Sequence, residues 1–385
     1  MWALWIKTLD PIPALTVDCK EQILNQITSE IAVVIITIPL DCELLEAMND
    51  KCRSVDCSFF YSLTTGVFSQ VFCDFGERFV VSDVDGEQPH ASQVEMITCD
   101  NPATVKVLED HGRHGLETGD YVTFSKLKGL EGGESQGENV NVGLDPNKEY
   151  EIKSTGPYTF ELVNVDLSTF TMPATQGYIT QVKKPVTLSF QSYKEALDHP
   201  KELMMSDFAK FDRPPMLHLL YKGLHTYMQS HDGKLPNVGS QEDAAELVSI
   251  CKSLDSTAAE DDKIITEENE AKITGLIEQF ASGSQAILSP MCAAMGGIVG
   301  QEVLKACSGK FTPISGFFHF DASETLPEGG LLPIQEVTPE VATSRYTSQI
   351  SVFGKTLQDS SHCHHDGTSY WTCMFGIVQD CRNST

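Results

Sequence analysis

The sequence predicts a chain of mixed class, in which an all-β domain and a helical bundle interrupt part of a doubly wound α/β module. Three observations predict it: a β-branched run followed by a helical pattern and a second strand-like run, a stretch of short β-type runs broken by glycine, and a stretch of helical periodicity. At 385 residues the chain has room for more than one domain. The composition, 41% hydrophobic and 21% charged, is typical of a folded globular protein.

The α/β part begins with residues 31–38, an apolar, β-branched run that predicts a strand covered on both faces. Pro39 ends this strand, and Asp41 is a candidate cap for a helix that precedes a second strand at residues 58–63. A doubly wound sheet normally starts with a further unit that carries a glycine-rich turn, and residues 1–30 contain no such turn. We therefore expect a sheet that lacks its first strand–helix unit.

The all-β part extends from about residue 78 to residue 190. Its clearest strand-like runs are residues 79–81, 120–124, 150–152, 158–163 and 178–182. Turn signals lie between them at Asp85-Gly86, Gly132-Gly133 and Thr155-Gly156. Short strands with this punctuation favour an inserted module that is either a barrel or a sandwich.

The helical part covers residues 193–283. The candidate helix starts are Pro214 with Pro215, the capping box of Ser240 with Asp243, and Glu267. One apolar face of the first helix is formed by Leu217, Leu220, Leu224 and Tyr227. Together these signals predict a small helical bundle, with the acidic residues 260–262 as a solvated linker.

A further helix is framed by Ser289 as N-cap, Pro290 in its first turn and Gly309 beyond its end. One side of this helix is nearly bare, and its small residues are Ala293, Ala294, Gly296, Gly297 and Gly300. Each helical glycine costs about 1 kcal/mol relative to alanine. We expect close packing against another helix or backbone to offset this cost, so Gly296, Gly297 and Gly300 are predicted packing residues.

The charge of the chain limits its partners. The sequence has 27 Lys and Arg against 54 Asp and Glu, which gives a net charge of −27. A chain this acidic repels the phosphate backbone, so we expect no nucleic-acid partner. A basic protein is the natural complement, although a solvated acidic surface that maintains solubility explains the charge as well.

The cysteines and the hydropathy pattern bear on location. Twelve cysteines at irregular positions predict reduced, mostly buried thiols. Residues 1–7 are too short an apolar run for a signal peptide, and no stretch approaches the roughly 20 apolar residues that span a bilayer. We therefore expect no membrane partner and a cytoplasmic and nuclear location.

Two nucleotide-binding motifs are nearly matched, but each lacks a required glycine. A phosphate loop ending at Gly309-Lys310 would need glycine where Leu304 stands, and a dinucleotide fingerprint with Gly297 and Gly300 would need glycine at Met295. We therefore expect this chain to contain no cofactor-binding residue.

Candidates for metal binding and nucleophilic catalysis are equally weak. Residues 362–366, with Cys373 and Cys381, contain zinc-type ligands, but their spacing matches no common zinc site. Cys73 lies between Phe72 and Phe75 and is predicted to be a buried thiol and not a nucleophile. We expect no catalytic and no metal-binding residue.

Seven segments, taken in order, resemble the N-terminal half of ubiquitin-activating enzymes E1. They are residues 66–76 (GVFSQVFCDFG), 86–89 (GEQP), 100–102 (DNP), 114–120 (HGLETGD), 206–211 (SDFAKF), 242–247 (EDAAEL) and 301–311 (QEVLKACSGKF). The resemblance covers roughly residues 20–357.

The resemblance implies a domain order and a chemistry. It implies an inactive adenylation module at residues 20–77 and 284–335, which is a partial Rossmann-like module of the ThiF type. The other implied domains are the first catalytic cysteine half-domain at 78–185, a four-helix bundle at 186–283 and the start of the active adenylation module at 336–358. In that family only the active module binds ATP and magnesium, and the β-domain helps to hold ubiquitin. Ubiquitin or a ubiquitin-like protein is therefore the implied partner, and its basic side would suit an acidic face.

Departures from the family pattern limit what the resemblance implies. Residues 1–19 and 359–385 match no part of the pattern, and the ATP-binding residues and the catalytic-cysteine domain have no counterpart. We expect a fragment truncated at both ends, which contributes ubiquitin contact and module pairing but no thioester chemistry. The alternatives are a non-enzymatic ubiquitin-binding decoy and a subunit that pairs in trans with an active adenylation module.

Overall fold

The computed structural model describes residues 17–130, 144–201, 203–205, 207–258, 263–326, 344–356 and 358. These residues divide into two units. The first unit contains the described residues of Met1–Phe79, Leu188–Ser308 and Pro313–Thr385, and the second contains those of Val80–Thr187 with Gly309–Thr312.

The first unit is built on a four-stranded sheet. Its strands are β1 (Val33–Ile36), β2 (Ser58–Thr65), β3 (Phe68–Asp74) and β12 (Gly316–Asp321), in the order β1-β2-β3-β12. Strands β1 and β2 are parallel, with Val33 opposite Ser58, whereas β2 with β3 and β3 with β12 are antiparallel. The parallel pair is joined by a helix, as the sequence predicts.

Two helices cover one face of the sheet at its β1 side. They are α1 (Val17–Gln26) and α2 (Cys42–Ser54), and Asp41 caps α2 by accepting a hydrogen bond from the Glu43 amide. Their buried residues share one apolar core with Phe59 and Tyr61 of β2. The opposite face carries α7 (Ser289–Ser308), whose buried Met295 packs with Phe60 and Val71.

The prediction that the first strand is covered on both faces is confirmed only in part, since Val34 and Ile36 pack in the core on the α2 side and Val33 packs in the core on the α7 side. The strand has four residues, Ile35 is 44% exposed, and Ile38, beyond the strand end, is 49% exposed. The reason is its position: β1 stands at the end of the sheet order, so one side of it lacks a neighbour among the described strands. A continuous apolar run alone does not distinguish an edge strand from a central one.

The helical part contains α3 (Tyr193–Asp198), α4 (Arg213–Ser230), α5 (Gln241–Ser256) and α6 (Glu270–Gly283). Proline occupies the first turn of α4, and the four residues of its predicted apolar face are all buried. Ser240 caps α5 by accepting from the Asp243 amide, whereas the Asp243 carboxylate accepts from Asn237. The last helix starts three residues later than predicted, and residues 260–262 lie outside the described residues.

The second unit contains a closed barrel of six antiparallel strands. They are β5 (Ala91–Ile97), β6 (Thr104–Val107), β7 (Tyr121–Lys128), β8 (Tyr150–Ser154), β9 (Thr159–Leu162) and β10 (Gln176–Val182), in the order β10-β5-β6-β9-β8-β7. The sequence leaves barrel and sandwich open, and closure of the sheet decides for the barrel. Strands β4 (Phe79–Val81) and β11 (Val186–Leu188) pair separately.

Buried His114 stabilises a loop of the barrel. Its Nδ1 accepts a hydrogen bond from the Leu116 amide at 2.9 Å, so its Nε2 carries the proton and donates to the Gly156 carbonyl at 2.7 Å. Both ring nitrogens are thus satisfied inside the protein, and this residue of the HGLETGD segment has a structural role.

Two further short helices belong to the first unit. The 3₁₀ helix Phe208–Lys210 precedes α4, and α8 (Thr347–Phe353) packs against α6 with Ile350 and Val352 buried. None of the helices in the described ranges is long and apolar enough to cross a membrane.

Candidate functional site

The predicted packing glycines lie on the solvent side of α7. The outward face of α7 consists of Ala293, Gly296, Gly297, Gly300 and Leu304, all of which are exposed, and Leu304 is 68% exposed. These residues recur at three- and four-residue spacing, so they form one continuous stripe. The face carries no charged side chain and is therefore suited to close contact with an apolar partner.

The opposite side of the same helix is anchored in the core. Met291, Met295 and Val299 are buried, and the latter two pack against the sheet beneath β2 and β3. Glu302 is only 1% exposed, and its carboxylate accepts hydrogen bonds from the Ile314 amide at 2.8 Å and from Lys305 at 2.6 Å. Because a buried carboxylate must keep these partners, it fixes the rotation of α7 and hence the direction of the outward face.

The space above the three glycines is open. A Cβ atom placed at Gly296, Gly297 or Gly300 would meet no atom of the described residues within 4 Å. Close packing over these glycines is therefore not supplied by the described part of this chain. The prediction that they pack against another module stays a prediction.

The carboxyl ends of β1 and β2 are the place where a doubly wound sheet binds a nucleotide. Here a cavity of about 20 Å³ lies at the carboxyl end of β2, lined by Thr65, Gly66, Gly283 and Val352 among others. This volume has room for roughly one water molecule, whereas pockets for drug-sized ligands measure about 300–1,000 Å³. This cavity is too small for a nucleotide.

The carboxyl end of β2 packs against other residues of the same chain. The Gly66 amide donates to the Ala286 carbonyl at 2.8 Å, and Thr65 and Tyr221 share a hydrogen bond of 2.9 Å. The φ angle of Gly66 is +59°, and a Cβ there would lie 3.1 Å from the Gly283 carbonyl oxygen. Glycine is thus required for this close approach.

A larger groove, of about 460 Å³, lies at the end of α2 and the end of β3. Its lining includes Asp50, Arg53, Asp56, Glu77 and Arg78, a mixture of both charges. It lies at the amino ends of β1 and β2, because β3 runs antiparallel to β2 and ends there. This position is opposite to the one that doubly wound sheets use for ligands.

A buried polar cluster borders this groove. Asp74, which is 1% exposed, accepts hydrogen bonds from Arg53, from Asn49 at 2.7 Å and from the Gly76 amide at 2.8 Å. Burial acts to lower the pKa of Arg53, but its contacts with Asp74 outweigh burial and raise that pKa. Sequence reasoning missed this cluster, although Asp74 belongs to the conspicuous FCDFG run.

The cysteine of the same run is fully buried, as predicted. Cys73 lies in β3 between Phe60 of β2 and Gly316 of β12, and its exposure is 0%. Burial raises the pKa of its thiol well above the ordinary value, and the nearby Glu302 carboxylate raises it further. A thiol that is protonated and inaccessible does not act as a nucleophile.

Within the described ranges no three His, Cys, Asp or Glu side chains are grouped so as to hold a metal ion. The candidate ligands at residues 362–366, Cys373 and Cys381 lie outside those ranges.

The barrel surface shows an excess of carboxylates. Four of its lysines form local ion pairs, Lys106 with Glu95, Lys153 with Glu161, Lys183 with Asp83, and Lys184 with Glu149. These pairs neutralise four cations, while the carboxylates of Asp100, Asp110 and Glu117 are exposed. The surface is therefore suited to a basic partner.

Two family models match this chain. The model described as the ubiquitin-activating enzyme E1 FCCH domain matches residues 100–183, and the model described as the ubiquitin-activating enzyme E1 four-helix bundle matches residues 184–255. The first match lies within the barrel unit, and the second covers α3, α4 and most of α5.

Curated relatives carry names of the same kind. The chain is 41% identical to ubiquitin-activating enzyme E1 2 of Triticum aestivum over 350 residues, which are 90% of this chain and 31% of the relative. It is 36% identical to ubiquitin-like modifier-activating enzyme 1 of Homo sapiens over 349 residues, which are 91% of this chain and 30% of that relative. The chain thus spans less than a third of the length of these relatives.

Proposed function

We propose that this chain, which carries the FCCH domain and the four-helix bundle of the ubiquitin-activating enzyme E1 family, takes part in ubiquitin activation without catalysing it. Its barrel contacts ubiquitin or a ubiquitin-like protein, and its α/β part pairs with an adenylation module. The ATP-dependent chemistry belongs to that other module. The observation that carries this proposal is the outward face of α7. The opposite side of this helix is fixed in the core, and no described residue covers the outward face.

Module pairing accounts for the composition of that face. Three glycines in the interior of one helix cost about 3 kcal/mol of helix stability relative to alanine. Nothing among the described residues requires them, since a Cβ at each position would meet open space. A partner that approaches the helix backbone closely gives the glycines a function, because a side chain at these positions would hold that partner away.

The sheet supports an identity as part of an inactive adenylation module. The β1–α2–β2 unit has parallel strands, as in a Rossmann-like arrangement of the ThiF type, but the carboxyl end of β2 is occupied by Thr65, Gly66 and their neighbours. A cavity of about 20 Å³ does not admit a nucleotide. The chain therefore contributes structure to activation and leaves ATP and magnesium to its partner.

Ubiquitin contact is assigned to the barrel. The carboxylates of Asp100, Asp110 and Glu117 are exposed, and the lysines that form ion pairs with other carboxylates do not cancel their negative charge. These three carboxylates are therefore available to a basic partner. Such complementarity raises the association rate and selects against acidic partners. The contact is expected to weaken as salt concentration rises.

The experiment is ATP–pyrophosphate exchange with ubiquitin, measured for the chain alone and for the chain mixed with a separately made active adenylation module. We expect no exchange from the chain alone and faster exchange by the module when the chain is added. Exchange by the chain alone would refute the proposal. The discriminating variant is Gly297→Leu with Gly300→Leu, which fills the outward face and is expected to abolish the stimulation.

Gly275→Leu is the matched control. Gly275 lies inside α6, and a Cβ there also meets nothing within 4 Å in the described structure, but it is not on α7. Both changes replace a helical glycine by a better helix former. Loss of stimulation by both variants would show that the outward face is not the pairing surface.

A second candidate is a ubiquitin-binding decoy. The observation that favours it is that the barrel forms a compact unit with its own apolar core, so ubiquitin contact does not depend on the α/β part. Ubiquitin binding by calorimetry, with no effect on exchange in the mixture, would support this function. Absence of binding to both ubiquitin and the module would refute both candidates.

A further inference from the structure

The turn between α2 and β2 brings two cysteines together. The Cys57 amide donates a hydrogen bond of 2.9 Å to the Cys52 carbonyl, and the Asp56 amide donates one of 3.4 Å to the Arg53 carbonyl. Asp56 has a φ angle of +58°, so it is the left-handed residue that follows the helix. These contacts define a Schellman motif, in which the residues at the positions of Cys52 and Cys57 meet side by side.

The two thiols face each other inside one core. Cys52 is 0% exposed and Cys57 is 4% exposed, and both belong to the apolar core that also contains Phe59 and Tyr61. The Cys52 thiol donates a hydrogen bond to the Cys57 sulfur. A disulfide needs Cα atoms about 4.4–6.8 Å apart and side chains that point toward each other. The direct backbone hydrogen bond satisfies the first condition, and the contact between the thiols satisfies the second.

Cys57 borders open space, whereas Cys52 lies deeper. Cys57 lines the groove of about 460 Å³ at the end of α2 and the end of β3, while Cys52 is fully buried. A groove of this volume lies in the range of small-molecule sites. Its lining residues carry both charges. A small peptide disulfide with ammonium and carboxylate groups, such as glutathione disulfide, is complementary to such a lining.

Their surroundings give the two thiols different reactivity. The hydrogen bond from Cys52 lowers the pKa of Cys57, and this effect outweighs burial, which acts in the opposite direction. A hydrogen bond with the Val34 backbone lowers that pKa further. The contact with Cys57 and burial both raise the pKa of Cys52. Because the thiolate is the nucleophile in thiol–disulfide exchange, Cys57 is the residue suited to attack.

We propose that Cys52 and Cys57 form a thiol–disulfide exchange site for a small disulfide, in which Cys57 attacks from the groove and Cys52 completes the bond. The Cys57 thiolate attacks one sulfur of the small disulfide, forms a mixed disulfide and releases the other half as a thiolate. That thiolate takes the proton of Cys52. The Cys52 sulfur then attacks Cys57 and releases the second half. The two cysteines lose two electrons, and the small disulfide is reduced to two thiols.

The disulfide would close a loop around residues 53–56, between the end of α2 and the start of β2. Arg53 lies in this loop, and its side chain donates to Asp74. Oxidation therefore adds a covalent link beside the polar cluster that connects α2 to β3. The inference does not rest on the proposed function, because the site lies neither on the outward face of α7 nor on the barrel.

The test is peptide mapping of the full chain after incubation with glutathione disulfide, followed by alkylation of the remaining thiols in urea. Trypsin releases residues 52–53 and residues 54–78 as separate peptides. We expect to find these peptides joined, with their combined mass reduced by two hydrogen atoms. Cys73 lies in the second peptide, is fully buried and serves as the internal control. In the folded chain Cys57 should react at least about tenfold faster than Cys73.

Serine variants assign the order of attack, since serine keeps a hydrogen-bond donor at each position. Cys52→Ser is expected to stop at a mixed disulfide between Cys57 and glutathione. Cys57→Ser should leave Cys52 unmodified, because Cys52 is buried and protonated. Cys42→Ser changes another buried cysteine of α2 and is the matched control, so it should leave the joined peptides unchanged. Circular dichroism checks that each variant is folded.

Three results would overturn the proposal. The first is alkylation of both Cys52 and Cys57 in the unsubstituted chain, which needs no variant to fold. The second is a disulfide that forms only when urea is present during the incubation, which would mean that the folded groove does not admit the small disulfide. The third is a mixed disulfide on Cys52 in Cys57→Ser but none on Cys57 in Cys52→Ser, which would reverse the order of attack.

Discussion

Nη1 of Arg53 lies 2.9 Å and 2.8 Å from the two carboxylate oxygens of Asp74, and this contact joins the end of α2 to the end of β3. Asp74 is 1% exposed, while the Arg53 side chain is 17% exposed. The pair is supported by Asn49, whose side chain also accepts from the Tyr193 amide at 2.8 Å. The cluster thus connects the sheet to α2 and to the start of the helical part.

Replacement of Asp74 by alanine is expected to destabilise the first unit by about 3 kcal/mol, because it leaves Arg53 and Asn49 without their buried acceptor. The measurement is urea unfolding followed by circular dichroism, with the transitions of the two units fitted separately. Glu95→Ala breaks an exposed pair with Lys106 and is expected to cost less than about 1 kcal/mol. Equal losses in both variants would contradict this assignment.

Acid is expected to destabilise the first unit through buried histidines. Burial lowers the pKa of His218 and of His225 from 6.5 to about 4, and it lowers the pKa of His319 well below 6.5. These folded-state values lie below the unfolded value, so the unfolded chain binds protons first as pH falls. Stability is therefore complete above about pH 6.5 and is lost between about pH 6.5 and about pH 4.

The expected loss at about pH 5 is about 2 kcal/mol each for His218 and His225, since one pKa unit corresponds to 1.36 kcal/mol. Urea midpoints at about pH 7.5 and about pH 5 measure it. Replacement of the exposed His199 by asparagine should leave the pH dependence as it is. Equal stability of the first unit at both pH values would contradict the prediction, because it would mean that these histidines are protonated in the folded protein without loss of stability.

Two glycines are expected to respond oppositely to alanine. Gly297→Ala fills open space on a helix and should stabilise the first unit by about 0.5–1 kcal/mol. Gly66→Ala should destabilise it by more than about 1 kcal/mol, because φ is +59° and the new Cβ would crowd the Gly283 carbonyl. The same urea titration compares them, and stabilisation by both changes would refute the assigned backbone role of Gly66.

Local patterns were sufficient to identify most elements. The bounds of β4 agree with the predicted residues, and α4 begins with prolines in its first turn as expected. Such features depend on neighbours along the chain, since periodicity, capping and proline geometry are local. The burial of Cys73 was also predictable, because it stands within an apolar run.

Long-range contacts were not predictable in this way. The side-chain partners of Asp74 are more than 20 residues away in sequence, and no spacing rule links Asn49, Arg53 and Asp74. The burial of three histidines in one core likewise depends on how α4 meets β12. Single-sequence periodicity contains no information about such pairings.

The sequence by itself determined the order of α/β, all-β and helical parts, the lack of a glycine-rich turn in residues 1–30, and the bare side of α7. Only the tertiary structure decided that the β-domain closes into a barrel, that β1 stands at the end of the described strand order, and that no described residue covers the three α7 glycines. The physical reason is that periodicity reports which residues prefer an apolar neighbour. Strand order and helix rotation decide which element packs against those residues, and whether any element does.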